Sequence, residues 1–162
     1  MANFCVLNCD DAKAWSPINF GHMFQTCLCD DCDCCTLCEL ARDKELPADI
    51  MSFDAVVITG SRHNCRDSDS LSWFEPLCNF IQRAAEVGSP RIYGGCFGCQ
   101  VVAHALGGEV GYNPGNVFLL KAEDVLLEAC FQHHLPGEES PQSLKLIVSH
   151  GDCVLRLPPH SE

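Results

Sequence analysis

The chain has 162 residues, 47% of them hydrophobic, and its 22 acidic side chains against 10 lysines and arginines give a formal net charge of -12. This length and composition predict one globular domain covering residues 1–162 and exclude a disordered chain. The acidic balance argues against binding to nucleic acid or to an anionic membrane surface, and no apolar run reaches the roughly 20 residues that a membrane span needs.

Short apolar runs predict strands at residues 4–9 and 53–61, of which the second is rich in β-branched residues and contains Gly60. Residues 71–87 have apolar side chains at helical spacing. Ser72 and Glu75 are placed as a capping box for this helix, and Gly88 is placed as its C-terminal stop.

A strand at residues 91–93 then leads into a second helix at residues 97–106, which ends at two glycines. Residues 116–127 and 143–157 are strand-rich, with a turn at Gly151. Strands that alternate with helices predict an α/β fold with a mainly parallel sheet covered on both faces.

Cys96 lies between glycines where the third strand turns into the second helix. The unpaired N–H groups of a helix N-terminus favour negative charge, so we expect this position to lower the pKa of the thiol. Gly94 and Gly98 leave the room that a nucleophile elbow requires, and the N–H of Phe97 would face an oxyanion. The alternative is a structural cysteine at a glycine-rich turn without chemistry, and the spacing alone does not separate the two.

The segment 94–111, GGCFGCQVVAHALGGEVG, resembles the Gly-x-Cys-x-Gly-x-Gln signature of the class I glutamine amidotransferase-like family. The resemblance is greatest to its stand-alone amidotransferase and gamma-glutamyl-peptidase-like branch, and similar segments occur at residues 19–24, 45–64, 73–84 and 146–159. It implies a flavodoxin-like three-layer sandwich. It also implies Cys-dependent hydrolysis or transfer of a glutamine or gamma-glutamyl amide through a thioester, with a small-molecule substrate. We expect no cofactor.

The resemblance implies roles for the matching residues of the motif. Cys96 corresponds to the nucleophile, and Gly60 and Phe97 correspond to the residues whose backbone N–H groups form the oxyanion hole. Gln100 corresponds to the glutamine that lines the substrate pocket. Cys99 departs from the pattern, since relatives often carry histidine there, but that position is not the catalytic base.

Ser149, His150 and Gly151 correspond to a loop that approaches the amino-acid end of the substrate. Thiol catalysis of amide hydrolysis also needs a general base. In this family the base belongs to a His-x-Glu pair on a late segment, and we expect this chain to end before the C-terminal elements that carry the pair. His150 is an alternative base, although a loop histidine that shapes the pocket is the simpler interpretation.

His160 and Glu162 have the right residue types for the pair, but by alignment they lie well before it. His104 is expected to pack or to lie at the surface, and His133 and His134 to be solvated in a polar loop. The sequence therefore predicts a nucleophile without its base, and so a weak or inactive amidotransferase-like enzyme. The alternative is a non-catalytic pseudo-enzyme or ligand-binding module with the same fold.

The chain has 14 cysteines, six of them between residues 27 and 38. The N-terminus does not resemble a secretory signal, so we expect a reducing compartment, the cytoplasm, rather than a disulfide framework. The pairs Cys29/Cys32 and Cys35/Cys38 have Cys-x-x-Cys spacing, but their separation suits a mononuclear zinc site poorly. We favour cysteine enrichment without function and expect no metal site. Binding of soft metals, and with it a metal-buffering protein, is the alternative. In the fold that the resemblance implies, residues 27–38 span the end of that fold's first helix and its second strand.

Overall fold

The computed structural model describes residues 1–13, 19–30, 32–128 and 141–159. The loop histidines His133 and His134 and the terminal His160 and Glu162 lie outside the described residues. The chain divides into a first unit, Met1–Gly111 with Cys153–Glu162, and a second unit, Tyr112–Asp152. The sequence-based expectation of one domain stays a prediction.

Twelve helices and strands follow one another in the described residues: β1 Asn3–Leu7, α1 Phe20–Leu28, β2 Cys34–Cys38, α2 Leu40–Asp43, β3 Ala55–Ile58, α3 Phe74–Val87, β4 Arg91–Gly94, α4 Phe97–Ala105, β5 Glu109–Tyr112, β6 Leu119–Leu126, β7 Ser143–His150 and β8 Asp152–Arg156. Short 3-10 helices lie at Ile50–Ser52, Cys65–Ser70 and Pro114–Asn116. No helix formed by these residues has the length and apolar character needed to cross a bilayer.

The first unit is built on a four-stranded sheet in the order β2-β1-β3-β4, and all of its neighbouring strands are parallel. Val6 of β1 lies beside Leu37 of β2 on one side and beside Val57 of β3 on the other. The central strands β1 and β3 are buried over most of their length, and this explains why their sequences are continuous apolar runs. The predicted α/β class with a parallel sheet is confirmed.

Helices cover both faces of this sheet. The main hydrophobic core combines residues of α3 and α4 with alternate residues of the two central strands, namely Cys5, Leu7, Val56 and Ile58. Successive side chains of a strand point to opposite faces, so Val6 and Val57 point away from this core. Helix α1 lies on their side, because a Cβ added at Gly21 would meet Leu37, the register partner of Val6.

Helix α3 begins later than the sequence pattern predicts. Its N-cap is Trp73, without a side-chain hydrogen bond, so the predicted capping box at Ser72 is not formed. Trp73 is buried in the core, and its packing therefore sets where the helix starts. Gly88 ends the helix as predicted, with a left-handed φ of 76° and an N–H that donates to the Ala84 carbonyl at 2.8 Å.

The predicted strands near the C-terminus are present, and one further strand was not predicted. Strands β6 and β7 form an antiparallel ribbon in the second unit, in a register that runs from the pair Leu119 and His150 to the pair Leu126 and Ser143. The unpredicted strand β5 pairs with β8. It escaped the sequence pattern because it has only four residues and includes Gly111.

Helix α4 begins in close contact with the end of β3. A Cβ added at Gly98 would overlap the carbonyl oxygen of Ile58 and lie 3.1 Å from the Ile58 Cβ. A Cβ at Gly94 would overlap the carbonyl group of Gly98 and lie 2.6 Å from the Cys99 nitrogen. Glycine is therefore a packing requirement at both positions, and the turn from β4 into α4 depends on it.

We expect the substitution Gly98→Ala to lower the free energy of unfolding by about 1–3 kcal/mol, the usual cost of overpacking a core. The reason is the overlap of the new methyl group with the Ile58 carbonyl. Urea unfolding followed by circular dichroism measures the change. Gly60→Ala is the matched control, since its Cβ would lie 3.5 Å from the Cys96 Cβ, an ordinary contact, and we expect a change within about 0.5 kcal/mol. Equal losses in the two variants would contradict this account.

Candidate active site

Cys96 is the N-cap residue of α4 and occupies the corner between β4 and α4. Its φ of 54° and ψ of -110° lie outside the regions that non-glycine residues ordinarily adopt. Hydrogen bonds hold the corner, because the N–H of Gly95 donates to the Ile58 carbonyl at 3.0 Å and the N–H of Gly98 donates to the Gly95 carbonyl at 2.9 Å. Such backbone strain persists only where the surrounding structure imposes it, and it is concentrated at functional sites.

The thiol of Cys96 is free and the residue is exposed, but the protein around the sulfur still removes part of its water. This burial raises the pKa of Cys96 above the ordinary thiol value, and a hydrogen bond from the N–H of Phe97 lowers it by a smaller amount. From the sequence we expected the helix N-terminus to lower this pKa. That expectation is wrong in direction, because desolvation destabilises the thiolate more than the N–H group stabilises it.

Gly60 and Phe97 lie next to Cys96. A Cβ added at Gly60 would be 3.5 Å from the Cys96 Cβ, so a side chain at this position would be in van der Waals contact with the thiol residue. Phe97 is buried, and its ring packs edge-on against Trp73 and Phe74 with centroids 5.9 and 6.4 Å away. This packing anchors the first residue of α4 and with it the N–H group beside the sulfur.

Gln100 lies one turn into α4. Its backbone N–H donates to the carbonyl of Cys96 at 3.2 Å, and its side chain is largely buried. The structure thus brings four of the sequence-predicted site residues, Cys96, Gly60, Phe97 and Gln100, to the start of one helix and the loop beside it.

Ser149, His150 and Gly151 belong to the second unit, at the end of β7 and the turn into β8. Asn113, a buried residue that the sequence did not indicate, holds this turn. Its side-chain amide donates to the His150 carbonyl at 2.9 Å, and its backbone N–H donates to the Gly151 carbonyl at 3.0 Å. The role of the three residues at the substrate stays a prediction.

The imidazole of His150 has a defined hydrogen-bond partner. Its Nδ1 lies 2.9 Å from the carbonyl oxygen of Asp152. Because a carbonyl only accepts hydrogen bonds, Nδ1 carries a proton in this contact.

The described histidines of the first unit, His22, His63 and His104, contact groups other than Cys96. Their partners are the Asn19 oxygen at 2.9 Å, the Asp11 carboxylate at 3.2 Å and the Phe74 ring at 5.5 Å between centroids. Within the described part of this unit, no histidine forms a hydrogen bond with the Cys96 thiol. The exposed position of His104 agrees with the sequence-based expectation.

A polar network holds the loop that follows β3, and sequence reasoning missed it. Ser61 Oγ donates to the Cys9 carbonyl at 2.6 Å, and the N–H of Arg62 donates to the Asp10 carboxylate at 3.0 Å. The Arg62 side chain also pairs with Asp11 at 2.9 Å. Because β1 and β3 are parallel neighbours, the loops that follow them meet at one edge of the sheet, where α/β proteins bind ligands. In the sequence, the signal for this network was the polar residues that directly follow two buried strands.

The cysteine-rich segment contains the second strand, as the resemblance implied, and a disulfide. Cys29 is bonded to Cys35, with their Cα atoms 6.4 Å apart, so neither predicted Cys-x-x-Cys pair is joined. Cys32 and Cys38 are free thiols. In the ranges that the structure describes, no group of three or more histidine, cysteine or carboxylate side chains is placed to hold a metal ion.

Comparison with known proteins gives relatives but no matching family model. Gamma-glutamyl peptidase 4 of Arabidopsis thaliana is 33% identical over 124 residues, which are 74% of this chain and 48% of the relative. A putative glutamine amidotransferase of Saccharomyces cerevisiae is 33% identical over 111 residues, 64% of this chain and 39% of the relative. The chain spans less than half the length of these two relatives.

Solved structures share the fold. A glutamine amidotransferase from Thermotoga maritima has a TM-score of 0.70 and 16% identity, with 98% of this chain and 64% of that chain covered. A glutamine amidotransferase from Methylobacillus flagellatus has a TM-score of 0.69 and 20% identity, with 98% and 59% covered. The structural similarity establishes the flavodoxin-like fold, and the sequence relatives show the family. The chain belongs to the class I glutamine amidotransferase-like family.

Proposed function

We propose that the Cys96 thiolate attacks the side-chain carbonyl carbon of glutamine or of a gamma-glutamyl compound. The observation that carries this proposal is the strained corner that exposes the thiol at the N-cap of α4. The sulfur bonds to the carbonyl carbon, the C–N bond breaks, and the amine or ammonia leaves with a proton. Water or an amine then cleaves the resulting gamma-glutamyl thioester.

Two backbone N–H groups would stabilise the charge that develops during this attack. We assign the oxyanion hole to Gly60 and Phe97, since the backbone of Gly60 lies next to Cys96 and the N–H of Phe97 already points to its sulfur. Loss of one such donor typically costs about 10²–10³ in rate. Gln100, Ser149, His150 and Gly151 are our candidates for binding the rest of a small-molecule substrate. The cytoplasm is the proposed location.

We further propose that turnover by this 162-residue chain is slow. The described histidines of the first unit contact other groups, and burial keeps the Cys96 pKa high. A positioned general acid and base contributes about 10²–10⁴ in rate. The same two observations favour a second candidate function, a pseudo-enzyme that binds a gamma-glutamyl ligand without turning it over.

An L-glutamine analogue that carries a chloromethyl ketone in place of the side-chain amide tests the proposed nucleophile. We expect saturable labelling of Cys96, at least tenfold faster than with the D-enantiomer, because only the L-form presents its chloromethyl carbon to the thiolate, which displaces chloride and forms a stable thioether. Peptide mass spectrometry identifies the labelled residue, and Cys96→Ser should abolish that label.

Cys99→Ser is the matched control, since it removes an exposed thiol from the same helix turn and should keep the label on Cys96. Equal, non-saturable labelling of the exposed cysteines by both enantiomers would refute the proposal. Ammonia release from L-glutamine, compared between the chain and Cys96→Ser, then separates the two candidate functions. Release that depends on Cys96 favours the enzyme, and absence of release with saturable labelling favours the binding protein.

Alkylation of Cys96 by iodoacetamide should follow its raised pKa. The thiolate is the reactive form, so the rate is expected to keep rising at alkaline pH where the rate of free N-acetylcysteine, measured in parallel, has levelled off. The Cys99→Ser variant isolates the signal, because tryptic peptide 92–121 then contains a single cysteine. A plateau at lower pH than that of the free thiol would contradict the burial effect.

A further inference from the structure

Cys96 and Cys99 stand at the two ends of the first turn of α4, as its N-cap residue and its third residue. The turn is closed, because the N–H of Gln100 donates to the Cys96 carbonyl at 3.2 Å. Residues three apart on a helix are surface neighbours. Both side chains are exposed free thiols, so this chain carries a Cys-x-x-Cys dithiol where a strand meets a helix.

The helical spacing of the two cysteines is compatible with a disulfide. Burial raises the pKa of Cys99, and the neighbouring Cys96 thiol raises it further by the repulsion between two thiolates. A disulfide requires Cα atoms about 4.4–6.8 Å apart, and residues three apart in an ideal helix have Cα atoms about 5 Å apart. Phe97 and Gly98, the two residues between the two cysteines, belong to the helix, so this spacing applies to the pair.

The buried cysteines of the first unit, Cys5, Cys9 and Cys65, are less suited to such chemistry, and Cys29 and Cys35 are already bonded to each other. Cys27, Cys32 and Cys34 are exposed free thiols as well, but they lie on α1, in the loop after it and on β2, so no two of them share a helix turn. Burial also raises the pKa of Cys5 to about 12, so its reactive form is scarce at neutral pH. The two thiols at the start of α4 combine exposure with a partner on the same helix turn.

We propose that Cys96 and Cys99 form a redox-active dithiol that closes reversibly to an intramolecular disulfide by exchange with a low-molecular-weight disulfide of the glutathione type. The Cys96 thiolate attacks one sulfur of that disulfide, and the first thiol leaves with a proton. The Cys99 thiolate then attacks the Cys96 sulfur of the mixed disulfide and expels the second thiol. Two protein thiols are oxidised, and one small disulfide is reduced to two thiols.

Closure of this bond would remove the sulfur that attacks the substrate, so the oxidised chain would bind a gamma-glutamyl compound without reacting with it. This consequence rests on the proposed function, whereas the disulfide itself does not. The site is thus a modification site whose chemistry is independent of whether the chain turns over glutamine.

Trypsin provides a direct readout, because peptide 92–121 contains Cys96 and Cys99 as its only cysteines. The reduced chain would be incubated with increasing ratios of oxidised to reduced glutathione, and its free thiols would then be trapped with iodoacetamide. After digestion with trypsin, mass spectrometry gives the mass of peptide 92–121. We expect it to lose two hydrogens and both alkylation sites, and to recover them when the ratio is lowered. Peptide 67–83, whose only cysteine is the half-buried Cys78, is the matched control that cannot close on itself.

Cys99→Ser should convert the closed form into a mixed disulfide of Cys96 with glutathione, which shows that Cys99 resolves it. The inference is overturned if peptide 92–121 stays fully alkylated at every ratio, or if it carries glutathione on both cysteines without closing. The chloromethyl ketone analogue of L-glutamine separates this from the proposed function. If the analogue labels the reduced chain and no longer labels the chain with the closed disulfide, both proposals are supported. If peptide 92–121 closes but the analogue never labels the chain, only the proposed function is refuted.

Discussion

The close contact between the start of α4 and the end of β3 is the constraint on which the site depends. The backbone of Gly98 lies against the Ile58 carbonyl, and no side chain fits between them. Because the helix begins there, the chain must turn within the two residues between β4 and α4, Gly95 and Cys96. Cys96 therefore takes a backbone conformation that costs on the order of 1–3 kcal/mol. The packing of Phe97 in the aromatic cluster and the hydrogen bonds of Gly95 hold that conformation.

This corner gives the thiol two opposing properties. It leaves the Cys96 thiol exposed and directs the N–H of Phe97 at its sulfur, yet the surrounding protein raises the pKa of the thiol. A high pKa leaves less thiolate at neutral pH, although each thiolate is then a stronger nucleophile. The corner therefore supplies position and a hydrogen bond to the sulfur, and in the described part of the first unit no histidine forms a hydrogen bond with this thiol.

The loop with Gly60 is held by a different kind of interaction. After β1, the Asp10 carboxylate accepts a hydrogen bond from the backbone N–H of Arg62, and the Asp11 carboxylate pairs with the Arg62 side chain. The Ser61 hydroxyl donates to the Cys9 carbonyl. These polar contacts join two loops that are about fifty residues apart in the chain, and they fix the backbone that faces Cys96. Core packing positions Cys96, whereas hydrogen bonds and ion pairs position the loop that contains Gly60.

The sequence by itself determined the parts of this protein that depend on local pattern. Apolar runs marked the buried strands, Gly88 marked the end of α3, and the glycines around Cys96 marked the turn from β4 into α4, because each reflects the conformation of a few consecutive residues. Only the tertiary structure decided the start of α3 at buried Trp73, the partner of Cys29 in its disulfide and the direction of the Cys96 pKa shift. Each of these is set by groups that are distant in sequence or by the water that the assembled fold excludes, and a local pattern carries no record of either.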